Sequence, residues 1–184
     1  MVTESVYEHF ESSLAALEVD VTRTDPAGFE ATIETVAEEP AIGIPLPIDG
    51  VSLPDWIDTE PTPATLESAN TGITAASFAI ADYGSVVLPA TPEGSEQVSL
   101  FPRLHVAVVE EREILPDMRT AIDRIGPLLR TRESVIIATG PSATADMGDL
   151  VRGAHGPEEV HVVVVGDGSG VRDRSESDAT EERR

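Results

Sequence analysis

The chain has no cysteine in its 184 residues, which excludes disulfides, thiolate nucleophiles and any iron–sulfur cluster held by its own thiolates. Lysine is absent as well: all twelve basic residues are Arg, set against 34 Asp and Glu, for a formal charge of −22. Without Lys there is no Gly-Lys-Ser/Thr phosphate-binding signature, so no nucleoside triphosphate site is expected, and no Gly-x-Gly-x-x-Gly fingerprint follows a strand. Such an acidic chain repels nucleic acid and anionic membranes at ordinary ionic strength, and no basic stripe offsets the repulsion. No apolar run approaches the roughly 20 residues that cross a bilayer, and no basic segment followed by an apolar one opens the chain. A cytoplasmic location follows as the expectation. Aromatic residues are scarce, at 4%, while hydrophobic residues make up 40%, so the core must be built mainly from Val, Ile, Leu and Ala. That composition favours a β-branched sheet covered by helices.

What the chain has in excess is carboxylate. A dense acidic surface without Lys suits molar salt, where self-repulsion is screened within about 3 Å and carboxylates keep the protein hydrated. A halophilic protein is therefore expected. The length allows one domain with a substantial core. We assign residues 1–166 to it, with an amino-terminal helical segment at 1–39 and an α/β core at 40–166, and residues 167–184 to a disordered acidic tail with no large apolar residue after Val171.

Val2, Val6, Phe10, Leu14 and Leu17 fall at helical spacing and predict an amphipathic first helix. Residues 19–22 read as a short strand. Asp25 before Pro26 reads as the N-cap and first residue of a second helix whose buried stripe is Phe29, Ile33 and Val36. Prolines at 40, 45, 47, 54, 61 and 63 exclude long helices there, although 41–46 can be a strand, and Trp56 is expected to anchor the following loop to the core. Residues 65–69 have room for a helical turn or two. Residues 72–80 and 85–88 read as strands joined around Asp82, Tyr83 and Gly84 in a hairpin. A strand at 103–109 precedes a helix at 116–129 with Met118, Ile122, Ile125 and Leu129 on one face. A strand at 134–138, a helix at 144–151 and a strand at 160–165 complete the pattern. Strands 106–109, 135–138 and 160–165 with intervening helices thus read as βαβαβ, with parallel strands and right-handed crossovers. Ligands on such sheets bind beyond the carboxyl ends of the strands, at the segments starting at Glu110, Thr139 and Gly166.

Two segments are the best candidates for chemistry. Thr139-Gly140-Pro141-Ser142-Ala143-Thr144-Ala145-Asp146 follows a strand and is expected to open a helix, whose free N–H groups favour a carboxylate or phosphate. Gly140 permits close backbone approach there, and Ser142 or Thr144 can cap the helix. An ordinary capped turn is the competing reading. Gly153-Ala154-His155-Gly156-Pro157 brings an imidazole into a loop between two glycines, where His155 can act as general acid or base or bind a substrate carboxylate. Its rival is a glycine-rich turn that tolerates a histidine. Asp82-Tyr83-Gly84-Ser85 and Asn70-Thr71-Gly72-Ile73-Thr74 read either as turns or as cleft-lining polar segments. His105 and His161 sit among apolar strand neighbours and read as core or sheet-facing histidines. The four histidines show no ligand spacing, and no metal site is expected.

In order along the chain, these segments resemble the LUD-domain family, in its lactate-utilization protein C group. Gly72-Ile73-Thr74 and the run from Ala79 to Leu88 are similar to the family's GIT and AIAETGT-V-L stretches. Leu104-His105-Val106-Ala107-Val108-Val109 is similar to its VHIAVV strand, and the 140–146 and 153–157 segments to GPSRTADIE and GVHGP. The resemblance covers roughly residues 66–165. It implies a three-layer α/β/α NagB/RpiA/CoA-transferase-like fold with a mostly parallel sheet. It also implies a role in oxidising L-lactate to pyruvate, binding a small anionic ligand or acting as an accessory subunit beside iron–sulfur oxidoreductase subunits.

A chain without Cys fits that division of labour, with no cofactor held by the chain itself. Candidate ligand-binding residues are Thr74, Asp82, Gly140, Ser142, Thr144, Gly153 and Gly156. The alternatives are a transferase- or ligase-like enzyme on the CoA-transferase-like fold, with His155 and Asp146 as catalytic candidates near Ser142, and a non-catalytic assembly subunit. No nucleophile, base and orienting acid stand in triad arrangement, which counts against the enzyme reading. Ala143 replaces the family's Arg, removing a bidentate carboxylate partner, and Asp82-Tyr83 replaces its Glu-Thr.

Overall fold

The computed structural model describes residues 5–131, 134–146 and 149–167. The expected tail from 168 onward, and Val2 of the first helix, lie outside the described residues. Helix α1 (Val6–Ala16) begins at Ser5, whose hydroxyl accepts from the Glu8 amide while the Glu8 carboxylate accepts from the Ser5 amide. That reciprocal cap satisfies two amides the helix leaves free. Its inner face buries Phe10 and Leu14.

The main sheet is wholly parallel. It contains β1 (Asp20–Thr24), β2 (Ala41–Gly43), β3 (Thr71–Ala75), β6 (Leu104–Glu110) and β11 (Glu159–Val165), in the order β1-β11-β6-β3-β2. The central strands β6 and β11 are near-continuous valine runs because both faces are covered, as parallel sheets require. On one face Ile73, Val106, Val108 and Val163 pack with Phe29 and Ile33 of α2 (Phe29–Val36). On the other, Ala107, Val109, Val162 and Val164 meet Phe10 and Leu14 of α1 together with Val86 and Leu88 of a second sheet. That second sheet joins β4 (Phe78–Ile80), β5 (Ser85–Pro89), β7 (Ile114–Leu115) and β8 (Val135–Thr139) in the order β7-β4-β5-β8. Its outer face packs Phe78, Ile80 and Val87 against Ala121 of α5 (Met118–Thr131). The mixed α/β architecture with a mostly parallel sheet is as expected, and α3 (Pro63–Ser68) forms close to the expected 65–69. Helix α4 (Ser95–Leu100) and β7 were not anticipated.

Several expectations are overturned. The strand at 135–139 does not join β6 and β11 in a βαβαβ unit: β6 and β11 are direct parallel neighbours, and β8 pairs antiparallel with β5. Val135, Ile136 and Ile137 have the composition of a central strand, but periodicity cannot tell a short apolar run in the middle of a sheet from one at its edge. The segment expected as a helix at 144–151 is instead a two-stranded ribbon, β9 (Ala143–Asp146) paired antiparallel with β10 (Asp149–Arg152). Its ends explain this: the Gly153 amide donates to the Ser142 carbonyl at 3.0 Å, so both ends of the insertion stand together. A ten-residue helix would hold them about 15 Å apart.

The expected strand at 72–80 is split, its last residues leaving the main sheet to start the antiparallel hairpin of β4 and β5. Asp25 does not cap α2. It closes a turn by accepting from the Gly28 amide at 2.8 Å, and the helix starts at Phe29. Trp56 is 39% exposed, and the loop anchor is its neighbour Ile57, at 5%. On α5 the small side chain of Ala121 lets the helix approach the second sheet closely. This turns the buried stripe to Met118, Ala121, Ile125 and Leu128, and leaves Ile122 61% and Leu129 53% exposed.

Candidate functional site

The two segments singled out in the sequence meet. Strand β8 ends at Thr139, and Gly140 then turns the chain with φ +68, a left-handed conformation that favours glycine. The Ser142 amide donates to the Pro157 carbonyl at 2.9 Å, and its carbonyl accepts from Gly153, so the ribbon is clamped at its base on both sides. Gly153 has φ +79 in the turn after β10. A Cβ on Gly156 would stand 3.0 Å from Ser142 Cβ, so the closeness of the two segments depends on a residue without one. Arg152 at the ribbon base is paired to Glu18 at 2.6 Å, tying the ribbon to the turn between α1 and β1.

Between these segments lies a cavity of about 320 Å³. Its walls include Gly140, Ser142 and Ala143 from one segment, His155, Gly156 and Pro157 from the other, and Leu100 and Ile136. At its inner end is His105, 1% exposed, whose Nε2 lies 2.9 Å from the Thr74 hydroxyl on the neighbouring strand β3. Burial pushes the His105 imidazole down to about 4, so it is neutral at physiological pH. His155 is exposed at the other side. The cavity lies beside the first residues of β6 and β11, the amino end of the parallel sheet.

The candidate residues divide. Gly140, Ser142, His155 and Gly156 line the cavity. Thr74 is fully buried and reaches the cavity only through His105. Thr144 is on the ribbon opposite Val151, and the ribbon carries the Asp146 backbone three residues, about 10 Å, beyond Ala143. Asp82 is elsewhere: it lies on the turn after β4, where its Oδ1 is 3.1 Å from His9 Nε2 of α1. The helix N-terminus invoked for anion binding at 139–146 does not exist, and the Ser142 amide is already committed to Pro157. His105, read as a core histidine, is buried but also faces the cavity. Two polar residues on one face of adjacent strands, Thr74 and His105, were the available signal.

The segments starting at Glu110 and Gly166 do meet beyond the carboxyl ends of their strands, in a larger cavity of about 600 Å³. Thr139 does not join them. Arg23 there donates to both oxygens of Glu111, each at 2.9 Å, and Arg112 pairs with Glu110 at 2.6 Å. With Asp49 and Asp167 also lining it, this cavity presents more carboxylates than guanidinium groups, and both of its arginines are paired. Among the described residues there is no group of three or more His, Asp or Glu side chains that could hold a metal ion, and no helix long and apolar enough to cross a membrane.

The LUD domain family model matches residues 57–165, a span that contains β3, β6, both cavity segments and β11. The chain belongs to the LUD-domain family. Curated relatives include the lactate utilization protein C of Deinococcus radiodurans, 33% identical over 128 residues, covering 67% of this chain and 60% of that protein. The lactate utilization protein C of Bacillus velezensis is 33% identical, covering 66% and 53%, and that of Bacillus subtilis is 36% identical, covering 55% and 44%. The chain therefore spans about half the length of the curated relatives it matches. A crystal structure of a DUF162 family protein from Deinococcus radiodurans has the same fold, with a TM-score of 0.64 at 21% identity, covering 88% of this chain and 96% of that one.

Proposed function

We propose that this LUD-domain chain serves L-lactate utilization as a cytoplasmic, salt-adapted subunit that binds a small carboxylate and works beside iron–sulfur partners. The observation that carries the ligand half of this reading is the 320 Å³ cavity, walled by the two segments through which the chain resembles its family and closed inside by a neutral histidine. A cavity of this size lies at the small end of the range for small-molecule sites and has room for a small carboxylate. The names of the curated relatives supply the lactate context. A chain without cysteine holds no thiolate-bound cluster, which fits iron–sulfur chemistry carried by a partner, and the exposed Ile122 and Leu129 on α5 suit docking onto such a partner.

Calorimetric titration of lactate, pyruvate, acyl-CoA and nucleotides in molar salt tests it. A small carboxylate should bind, and His155→Ala should weaken binding about tenfold or more, the worth of one hydrogen bond to a charged group. Unchanged binding in that variant would remove the ligand from this cavity. If none of these compounds binds while pull-downs recover cysteine-rich partners, the accessory role stands alone.

A further inference from the structure

Two of the polar side chains that line the cavity, Ser99 and Thr139, have hydrogen bonds within the protein. Ser99 donates to the Glu96 carbonyl, and Ser85 shares a 2.7 Å bond with Thr139. His105 is different. Its Nε2 is matched by Thr74, but among the described residues nothing is hydrogen-bonded to its Nδ1, and the ring lines the cavity while being 1% exposed. That nitrogen is not sealed off, because Nδ1 is not among the fully buried polar atoms that lack a partner, so whatever fills the cavity can meet it.

Which proton that nitrogen carries follows from Thr74. The Thr74 hydroxyl is fully buried and has no other hydrogen-bond partner among the described residues. If it donates to Nε2, its proton is satisfied and the imidazole proton sits on Nδ1. If it accepted from Nε2–H instead, the hydroxyl proton would be buried and unpaired. The first arrangement satisfies the Thr74 proton and leaves Nδ1–H as the one donor of this pair without a partner among the described residues. The second leaves a stranded hydroxyl proton as well.

We infer that His105, fixed through Nε2 by Thr74, presents an Nδ1–H donor to the cavity and there binds an oxygen of a small carboxylate or 2-oxo acid. The inference rests on the ligand site proposed above and gives His105, there only a wall of the cavity, a direct role in binding. Burial keeps the ring neutral down to about pH 4, so the donor is a dipole rather than a cation. That matters because no arginine is among the residues found to line the cavity, and Ala143 stands on its wall. An acceptor oxygen is thus met by neutral donors, His105 and the hydroxyl of Ser142, which also lines the cavity. Thr74 is a positioning residue, touching only the histidine.

The test has two arms, run on the full chain in molar salt. In the first, nitrogen NMR of histidine-labelled protein reads the tautomer directly. The wild type should show the proton on Nδ1 of His105, Thr74→Val should erase the preference, and Thr74→Ser should restore it. A wild-type Nε2–H tautomer would overturn the inference whatever the ligand is.

In the second, pyruvate is titrated. His105→Asn retains an amide N–H near the Nδ1 position and should bind within about threefold of wild type. His105→Gln moves its amide towards Thr74 and should bind at least about tenfold more weakly, the loss of one directed hydrogen bond. If His155→Ala weakens pyruvate binding while both His105 variants leave it unchanged, the cavity reading survives and the role of His105 fails. If no variant in either segment alters binding, or pyruvate and lactate do not bind at all, both fail together.

Discussion

The two ends of the parallel sheet carry opposite kinds of site. Beyond the carboxyl ends, where ligands of open α/β sheets usually bind, the larger cavity is lined by charges that already satisfy one another, Arg23 with Glu111 and Arg112 with Glu110. At the amino end the smaller cavity is lined by apolar side chains, small polar residues and two histidines, of which His105 is buried and neutral, and among the described residues it holds no arginine or carboxylate. The difference teaches that strand direction is a weaker guide here than the state of the polar groups. A cavity whose charges are paired must break those pairs to bind, whereas one lined by a neutral histidine whose Nδ1 has no partner among the described residues has no ion pair to break.

The comparison can be broken or sharpened by substitution. The largest effect is expected at Gly72 of β3, where an added Cβ would stand 2.0 Å from the Val98 carbonyl oxygen of α4, a backbone atom that cannot swing aside. Gly72→Ala should cost about 3 kcal/mol or more in denaturant unfolding. At the carboxyl end, the one tight contact of Gly166→Ala is the Glu111 side-chain oxygen at 2.9 Å, with the Thr24 carbonyl at an ordinary 3.7 Å, and it should cost well under about 1 kcal/mol. Equal losses would mean the two ends are equally rigid.

His105 sets the next effect. Its folded value, about 4, lies below the ordinary 6.5, so the unfolded chain takes up the proton first as pH falls. Stability is therefore full above about pH 6.5 and declines as pH drops towards 4, by about 3 kcal/mol from this residue. Half-buried His161 is shifted in the same direction and adds to the slope. Urea midpoints of wild type and His105→Gln between pH 7 and 4 should converge as pH falls, and parallel curves would refute a buried neutral His105. Smaller again, Gly156→Ala should cost about 1 kcal/mol, because Ser142 must yield by a few tenths of an ångström, and should weaken carboxylate binding along with it. The least effect belongs to Arg23→Ala, where the partly exposed pair with Glu111 is worth about 0.5–1 kcal/mol at low salt and nothing measurable in molar salt. A loss that persisted in molar salt would show the carboxyl-end network to be more than a surface ion pair.

Much of the fold was legible because composition and burial agree. The apolar runs of β11 and β6 could only be covered strands, and Phe10 with Leu14 had to face a core. What escaped was decided between distant residues. Helix-forming residues Ala143 and Ala145 entered a ribbon because Ser142 and Gly153 are tied together, a constraint no local window contains. Strand β8 reads like a central strand, yet its place is at an edge because β4 already occupies the other side of β5. The two cavity segments stood out as glycine-flanked polar stretches, but their meeting, and the arrival of His105 between them, depends on strands far apart in sequence. Asp82 had the right chemistry, but the turn that carries it leads to α1 and His9.

The most direct measurement is backbone-amide NMR of the labelled chain during a pyruvate titration in molar salt. If the amino-end cavity is the ligand site, saturable shifts will centre on His105, Gly140, Ala143 and Gly156, while Glu111 and Gly166 stay still. Shifts centred on Glu110, Glu111 and Gly166 instead would contradict it and return the site to the carboxyl end of the sheet.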